Sequence, residues 1–369
     1  MLDNLTPTTE CRVMVMAGGT GGHVFPALAV AQKLREANAS ICWLGTSRGI
    51  ESDLVPAQGI ELHFLSIEGL RGRGILALLR APVMLLRSVL QALTILSKFK
   101  PDVVLGMGGF ASGPGALAAK LKGIPLVIHE QNSVAGTTNK ISAKLATRIM
   151  AGFPNTLDRS EWCGNPVRPE IAAMAPPHER LSNREGPMKL LVLGGSRGAL
   201  ALNKLIPKAL SIIDVDLRPE VLHQTGEKHV QATIEMYLQH GLDINGEAFQ
   251  IQPFIEKMDK AYRWADFVIC RAGALTIAEL TAAGLGALLI PFPYAIDDHQ
   301  TTNGDLLVNF GAAKMIQERE LTPNILAEQI TEMTQFPDRR LTMASRAREL
   351  AKGGAAERVA AVCMEVAGE

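Results

Sequence analysis

The reading turns on Arg12 to Leu34, RVMVMAGGTGGHVFPALAVAQKL. The apolar run Val13 to Met16 ends in four glycines within five positions (Gly18, Gly19, Gly21, Gly22), and Ala27, Leu28, Val30, Ala31 and Leu34 then recur at helical spacing. Strand, glycine turn and helix in that order open an α/β unit. Glycines let main chain approach a ligand closely, and the first amides of a helix lack internal partners, so the pattern predicts a backbone-lined anion pocket. His23 at its rim supplies a candidate acid–base group.

Two familiar glycine loops do not fit. A dinucleotide fingerprint would need glycine at the position of Val24 and an acid closing the next strand, Ile41 to Gly45, and neither is present. A P-loop needs Gly-Lys, which occurs nowhere in the chain.

The 369 residues suffice for two domains of ordinary size. Lys plus Arg equals Asp plus Glu at 37 each, so no global charge draws the chain to nucleic acid. The five cysteines (Cys11, Cys42, Cys163, Cys270, Cys363) form no CxxC pair, against both a disulfide framework and a zinc ribbon, and imply a reduced, cytosolic chain. Met1 to Cys11 has no signal-peptide pattern. No transmembrane helix is expected, because Ile75 to Leu96 carries Arg80, Pro82 and Arg87. Gly69 to Lys100 nevertheless mixes arginines and lysines with leucines and contains no acid. Such a segment either lies on anionic lipid or is a core helix whose arginines snorkel to water.

Further strands are read at Glu61 to Ser66, Asp102 to Leu105 and Pro125 to Ile128, with a helix at Ala116 to Lys122. Alternating strands and helices imply parallel sheets, in which ligands sit at the carboxyl ends of strands. Gly106 to Gly115 and His129-Glu130-Gln131-Asn132 occupy such ends. His129-Glu130 is not a zinc HExxH, since Ser133 stands at the second histidine position; it is either a pair hydrogen-bonding a polyhydroxyl ligand or a structural polar turn.

Prolines from Pro154 to Pro177 mark a connector between domains. Beyond it Lys189 to Leu210, KLLVLGGSRGALALNKLIPKAL, repeats the design of Arg12 to Leu34, so the chain holds two similar halves, and a cleft between them would take ligand. Strands follow at Glu220 to Gln224, Phe249 to Gln252, Phe267 to Cys270 and Ala287 to Pro291. Glu279, two turns into the helix after Gly273, either accepts both hydroxyls of a ribose or complements the helix dipole. Gly194-Gly195-Ser196-Arg197-Gly198 also satisfies the GxSxG of a hydrolase, with Asp266 and His299 downstream, but the first half carries the same loop with Thr20 in place of the serine. Asp214-Val215-Asp216 is read as a solvated turn, and no tightly bound metal is expected.

Taken together, GGTGGHVFPALA (Gly18 to Ala29), GMGGFASGP (Gly106 to Pro114), HEQN (His129 to Asn132), GNPVR (Gly164 to Arg168), GGSRGA (Gly194 to Ala199), RAGALTIAE (Arg271 to Glu279) and DDHQTTN (Asp297 to Asn303) resemble the MurG family over essentially the whole chain. The resemblance implies an α/β chain of GT-B architecture, two Rossmann-like domains with parallel sheets facing a central cleft. It divides them into residues 1–167 plus 353–369, for acceptor and membrane, and 168–352, for the UDP-sugar. It implies an inverting, metal-independent N-acetylglucosaminyltransferase without cofactor, using UDP-N-acetylglucosamine and an undecaprenyl-linked muramyl pentapeptide, peripheral to the cytoplasmic face of the cell membrane and a possible partner of cell-wall synthesis proteins. Another GT-B lipid glycosyltransferase or a UDP-sugar epimerase is the alternative.

By position, Thr20, Gly21, Gly22, Asn132, Arg168 and Gln300 are implied at the sugar or diphosphate, Ser196 at the diphosphate and Ile255 at the uracil. Ala274, Leu275, Thr276, Ile277 and Ala278 would frame the nucleotide and Glu279 hold the ribose. Gly108, Gly109 and Ser112 are implied on the acceptor side. Phe110 departs from the tyrosine common in the family. The resemblance favours lipid contact for Gly69 to Lys100. His23 is the candidate base, with Glu130 as substitute.

Overall fold

A computed structural model of the chain describes residues 10–67, 75–182, 184–195 and 198–368. It forms two compact units, one of the described residues up to Pro166 together with those from Gly354 onward, the other Val167–Gly353.

The first unit runs β1 (Arg12–Met16), α1 (Gly21–Glu36), β2 (Ser40–Gly45), α2 (Glu51–Ala57), β3 (Glu61–Phe64), α3 (Ile75–Phe99), β4 (Val103–Gly106), α4 (Ser112–Leu121), β5 (Leu126–Glu130), α5 (Thr137–Ala143), β6 (Arg148–Ala151) and β7 (Glu161–Trp162). Its strands form one sheet in the order β3-β2-β1-β4-β5-β6-β7, every pair parallel. Such a sheet is covered on both faces, which is why β1 reads as an unbroken apolar run. Val13 and Val15 join the core on the α1 side, while Met14 and Met16 join the opposite core with Leu96 of α3 and Ala116 and Ala119 of α4.

The second unit runs α6 (Pro169–Ala172), α7 (Pro177–Leu181), β8 (Lys189–Leu193), α8 (Leu200–Ile212), β9 (Glu220–Gln224), α9 (Val230–Gln239), β10 (Phe249–Gln252), α10 (Met258–Trp264), β11 (Phe267–Cys270), α11 (Ala274–Ala283), β12 (Ala287–Leu289), α12 (His299–Asn309), β13 (Ala313–Met315), α13 (Pro323–Gln335) and α14 (Pro337–Glu349). The all-parallel order β10-β9-β8-β11-β12-β13 repeats that of the first six strands of the first unit, so the duplication read from the two glycine loops extends to topology. Leu190, Val192, Leu202, Ile206, Phe267 and Ile330 centre its core. The final helix α15 (Ala355–Gly368) returns to the first unit, where Val359, Val362, Cys363 and Val366 pack beside Val30 and Leu34 of α1.

Two of the boundaries that differ from the sequence reading bear on the site. α4 begins at Ser112 rather than Ala116, because Pro114 falls in its first turn, where a missing N–H leaves no gap in the helix ladder. β5 continues to Glu130, which makes His129 and Glu130 strand residues rather than turn residues. Ala81–Phe99 is long and apolar enough to cross a membrane, since only Arg87 and Lys98 are charged within it. Its Val89, Ala92 and Leu96 are nevertheless buried in the unit.

Candidate functional site

β1 and β4 are neighbours from which the strand order runs outward in opposite directions, and β8 and β11 repeat that relation. At such a switch point the loops after the two strands diverge and leave a crevice. The glycine-rich turns after β1 and β4 lie at this point of the first unit, and those after β8 and β11 at the corresponding point of the second.

In the first unit Thr20 and Gly22 are exposed, while Gly21 and His23 are half-buried. Thr20 O accepts the amides of His23 (3.1 Å) and Val24 (3.2 Å), which starts α1. Gly108 lies against the histidine ring. Its φ is +95°, and a Cβ there would stand 2.7 Å from His23 Cδ2 and 2.9 Å from Nε2. Gly109, at φ +88°, lies against the first loop, where a Cβ would stand 2.4 Å from Gly18 O. The GGTGGH and GMGG motifs are thus one interlocked structure, closed to any side chain at these two positions.

Beneath this loop lies Glu51, fully buried, which the sequence reading missed. Its Oε2 accepts Gly19 N–H (2.9 Å), and its Oε1 accepts both the amide (2.9 Å) and the hydroxyl (2.8 Å) of Thr46. Side chains at Gly18, Gly45 or Gly49 would strike this carboxylate chain, at 2.4, 2.8 and 1.9 Å. Of the loop amides in the expected anion pocket, that of Gly19 is therefore taken up by a carboxyl group of the same chain.

Ser112, expected on the acceptor side, is buried, with its hydroxyl 2.7 Å from Gly108 O and 3.0 Å from Met16 O. The side chain holds the second loop to β1, with its hydroxyl proton spent on these carbonyls. Glu130 is buried too. Oε1 accepts Asn132 N–H (2.9 Å) and Nδ2 (3.3 Å), and Oε2 accepts Gly136 N–H (3.1 Å) and Asn139 Nδ2 (2.9 Å). With four donors on it, this carboxylate is a clamp for the turn presenting Asn132 rather than a substitute base. His129 is fully buried, lies 2.9 Å from Gly164 O through Nε2 and 3.2 Å from Gln131 Nε2 through Nδ1, and burial pushes its pKa down. The structural reading of this pair therefore replaces the polyhydroxyl one.

In the second unit Ser196 lies outside the described residues. Gly273 caps α11, whose first amides, on Ala274, Leu275 and Thr276, face the switch point, and Ile277 N bonds back to Gly273 O. Glu279 is buried one turn further on. Its Oε1 accepts Arg168 Nε (3.0 Å) and Nη2 (2.6 Å), and its Oε2 accepts the buried Tyr262 hydroxyl (3.0 Å). Burial raises the carboxyl's pKa against the opposing pull of Arg168 and Tyr262. Tyr262 gave no sequence signal, since it sits on α10 amid an ordinary amphipathic pattern. The buried Ile255 follows β10, and Gln300 Oε1 accepts Phe292 N–H (2.9 Å) beyond β12.

The hydrolase arrangement fails on position. Asp266 precedes β11 and is held by Arg184 (2.6 Å) and Lys189 N–H (2.8 Å), at the end of the sheet opposite to His299, which follows β12. Asp214 turns back on Asp216 N–H (3.1 Å), the solvated turn expected. Among the described residues one cluster, Cys42, Glu61 and His63, has metal-type ligands close together; it lies within β2 and β3, away from the strand ends that carry the loops.

The description glycosyltransferase family 28 N-terminal domain matches residues 13–151, and glycosyltransferase family 28 C-terminal domain matches residues 189–359. A protein of Pseudomonas fluorescens named UDP-N-acetylglucosamine–N-acetylmuramyl-(pentapeptide) pyrophosphoryl-undecaprenol N-acetylglucosamine transferase is 50% identical over 358 residues, 96% of this chain and 98% of its own. A protein of the same name from Dechloromonas aromatica is 50% identical over 355 residues, 96% and 99% of the two chains. The crystal structure of Acinetobacter baumannii MurG superposes with a TM-score of 0.82 at 39% identity, covering 96% of this chain and 99% of that one.

Proposed function

The chain belongs to the MurG family within glycosyltransferase family 28, and from that premise we infer its reaction. It transfers N-acetylglucosamine from UDP-N-acetylglucosamine to the C4 hydroxyl of the muramyl residue of undecaprenyl-diphospho-muramyl-pentapeptide, a step of peptidoglycan synthesis. The observation that carries this is half-identity to transferases of that name across nearly the full chain.

The roles of individual residues are our proposal. In the second unit Glu279 takes the ribose, the α11 amides and Ala274 to Ala278 frame the nucleotide, and the Ile255 backbone meets the uracil. Ser196, Arg168 and Gln300 serve the diphosphate and sugar. In the first unit Thr20, Gly21, Gly22 and Asn132 present hydroxyl, backbone and amide groups to sugar, and the Gly108–Gly109 loop serves the acceptor. The C4 hydroxyl attacks the anomeric carbon from the face opposite UDP, so configuration inverts. His23 takes the hydroxyl proton, having a near-neutral reference pKa and a ring held against Gly108. UDP leaves with its charge met by Arg168 and the helix-start amides.

We further propose that the first unit rests on the cytoplasmic face of the cell membrane. α3 leaves Val83 (71%), Leu86 (61%) and Leu90 (54%) exposed at helical spacing, with Arg87 exposed beside them. Apolar contact and attraction of basic groups to anionic lipid act together on such a face. Residues 69–74 of the expected patch lie outside the described residues.

The test is UDP release by purified protein from UDP-N-acetylglucosamine in EDTA, with and without the lipid-linked muramyl pentapeptide. Release that needs acceptor is the expected result. Release without acceptor would point to an epimerase or hydrolytic activity, and release with a different lipid acceptor alone to another lipid glycosyltransferase.

A further inference from the structure

The carboxylate assigned to the ribose is already occupied. Glu279 has four lone-pair positions, of which Arg168 fills the two on Oε1 (3.0 and 2.6 Å) and Tyr262 one on Oε2 (3.0 Å). One remains. A ribose offering two hydroxyls needs two, so a diol and the guanidinium compete for Oε1.

The two occupants differ in how readily they leave. Tyr262 is buried within α10 at 1% exposure, and its hydroxyl has no water to return to. Arg168 is 38% exposed at the start of α6, so its guanidinium can swing into water and be resolvated. What it leaves behind is a buried carboxylate, and a buried charge stripped of hydrogen bonds is strongly disfavoured. Only a ligand that returns donors to Oε1 compensates for its departure. A vicinal diol does so, whereas a 2′-deoxyribose can donate its one ring hydroxyl, on C3′, to the free position on Oε2 and leave Arg168 in place.

Resting on the donor-site reading above, we propose that Arg168 and the ribose exchange places on Glu279: Tyr262 is a positioning residue that fixes the carboxylate, and the diol displaces Arg168 and frees its guanidinium for the diphosphate. The ribose then does more than add affinity. It is the part of the substrate that releases a cation toward the leaving group, and a deoxynucleotide would bind without that release. Sugar recognition and leaving-group stabilisation are coupled through one side chain.

The test compares uridine with 2′-deoxyuridine, neither of which carries phosphate, on wild type and Arg168→Ala by calorimetry at pH 8. Removing the competitor should tighten uridine by about fivefold or more and change 2′-deoxyuridine less than about twofold, since only the diol has to displace Arg168. UDP, which loses a phosphate partner, should gain less than uridine. An equal change for the two nucleosides, or no gain for uridine, overturns the exchange while UDP binding to wild type leaves the donor site standing. Failure of wild type to bind UDP or uridine would overturn the donor-site reading itself. Should Arg168→Ala not fold, Arg168→Met, which has no donor to offer Oε1, carries the same comparison.

Discussion

Glu51 offers the sharpest perturbation of the first glycine loop. Glu51→Gln keeps the side chain's shape but replaces one acceptor oxygen with a donor. If the amide oxygen stays with Thr46, whose N–H and hydroxyl lie 2.9 and 2.8 Å away, the amide nitrogen faces the Gly19 N–H now held at 2.9 Å. Turning the amide over leaves Thr46 unmatched instead. A hydrogen bond to a charged group contributes about 1.5–3 kcal/mol and an unmatched buried donor costs about 1–3, partly offset because a neutral amide is cheaper to bury, so the net loss is about 3 kcal/mol. The unit carries its own reporter, since buried Trp43 donates its Nε1–H to Ala17 O (2.8 Å), the residue before Gly18. With Trp162 and Trp264 replaced by phenylalanine, Trp43 fluorescence in urea should show the midpoint falling by roughly 1 M, taking m at about 2–3 kcal/mol/M. Hydrogen exchange over Ala17 to Val24 should speed up. Because His23 follows this loop, kcat should fall about tenfold or more while the KM for UDP-N-acetylglucosamine moves less. A midpoint within about 0.2 M of wild type, with unchanged exchange across the loop, would refute the argument that this carboxylate sets the loop.

Other consequences can be checked directly. His23→Ala should lower kcat by roughly 100-fold with little change in donor KM, and near-normal turnover would remove it as the base. Leu86→Glu with Leu90→Glu should release the protein from vesicles containing phosphatidylglycerol while transfer to a detergent-solubilised acceptor persists; unchanged sedimentation with vesicles would place the lipid contact elsewhere. Stability of the second unit should fall as pH drops below about 6.5, because burial pushes the pKa of His223 down to about 3 while the unfolded histidine binds a proton near 6.5. The unfolded state then holds more protons than the native one, at about 1.4 kcal/mol per pH unit in that window, and His223→Gln should flatten the slope of urea midpoint against pH.

Two repeated strand–glycine–helix openings were enough to read two parallel α/β halves, because a buried parallel strand must be apolar throughout and its loop must be small. The side chains around the loops were less legible for a physical reason. Glu51 reaches back 32 residues to Gly19, and only the fold brings Gly18, Gly45 and Gly49 around it. Ser112 and Glu130 carry reactive functional groups in the right motifs, yet their hydrogen bonds are spent on neighbouring backbone and amide groups. Residue type showed that polar groups gather at these strand ends. Which of them face solvent depends on partners a motif does not contain.

The return of α15 to the first unit bears on the order in which the protein is built at the ribosome. The second unit is one continuous segment, Val167–Gly353, and can close on itself as soon as it emerges. The first lacks Val359, Val362, Cys363 and Val366 until the last stretch of chain is synthesised. Domains of most chains mature in the order they are translated, but here the half made first is finished last. In the interval the flank of α1 and the sheet face over β4 and β5 are bare, a surface for chaperones to hold, and a ribosome stalled before codon 355 would leave a nascent chain with one finished unit and one incomplete one.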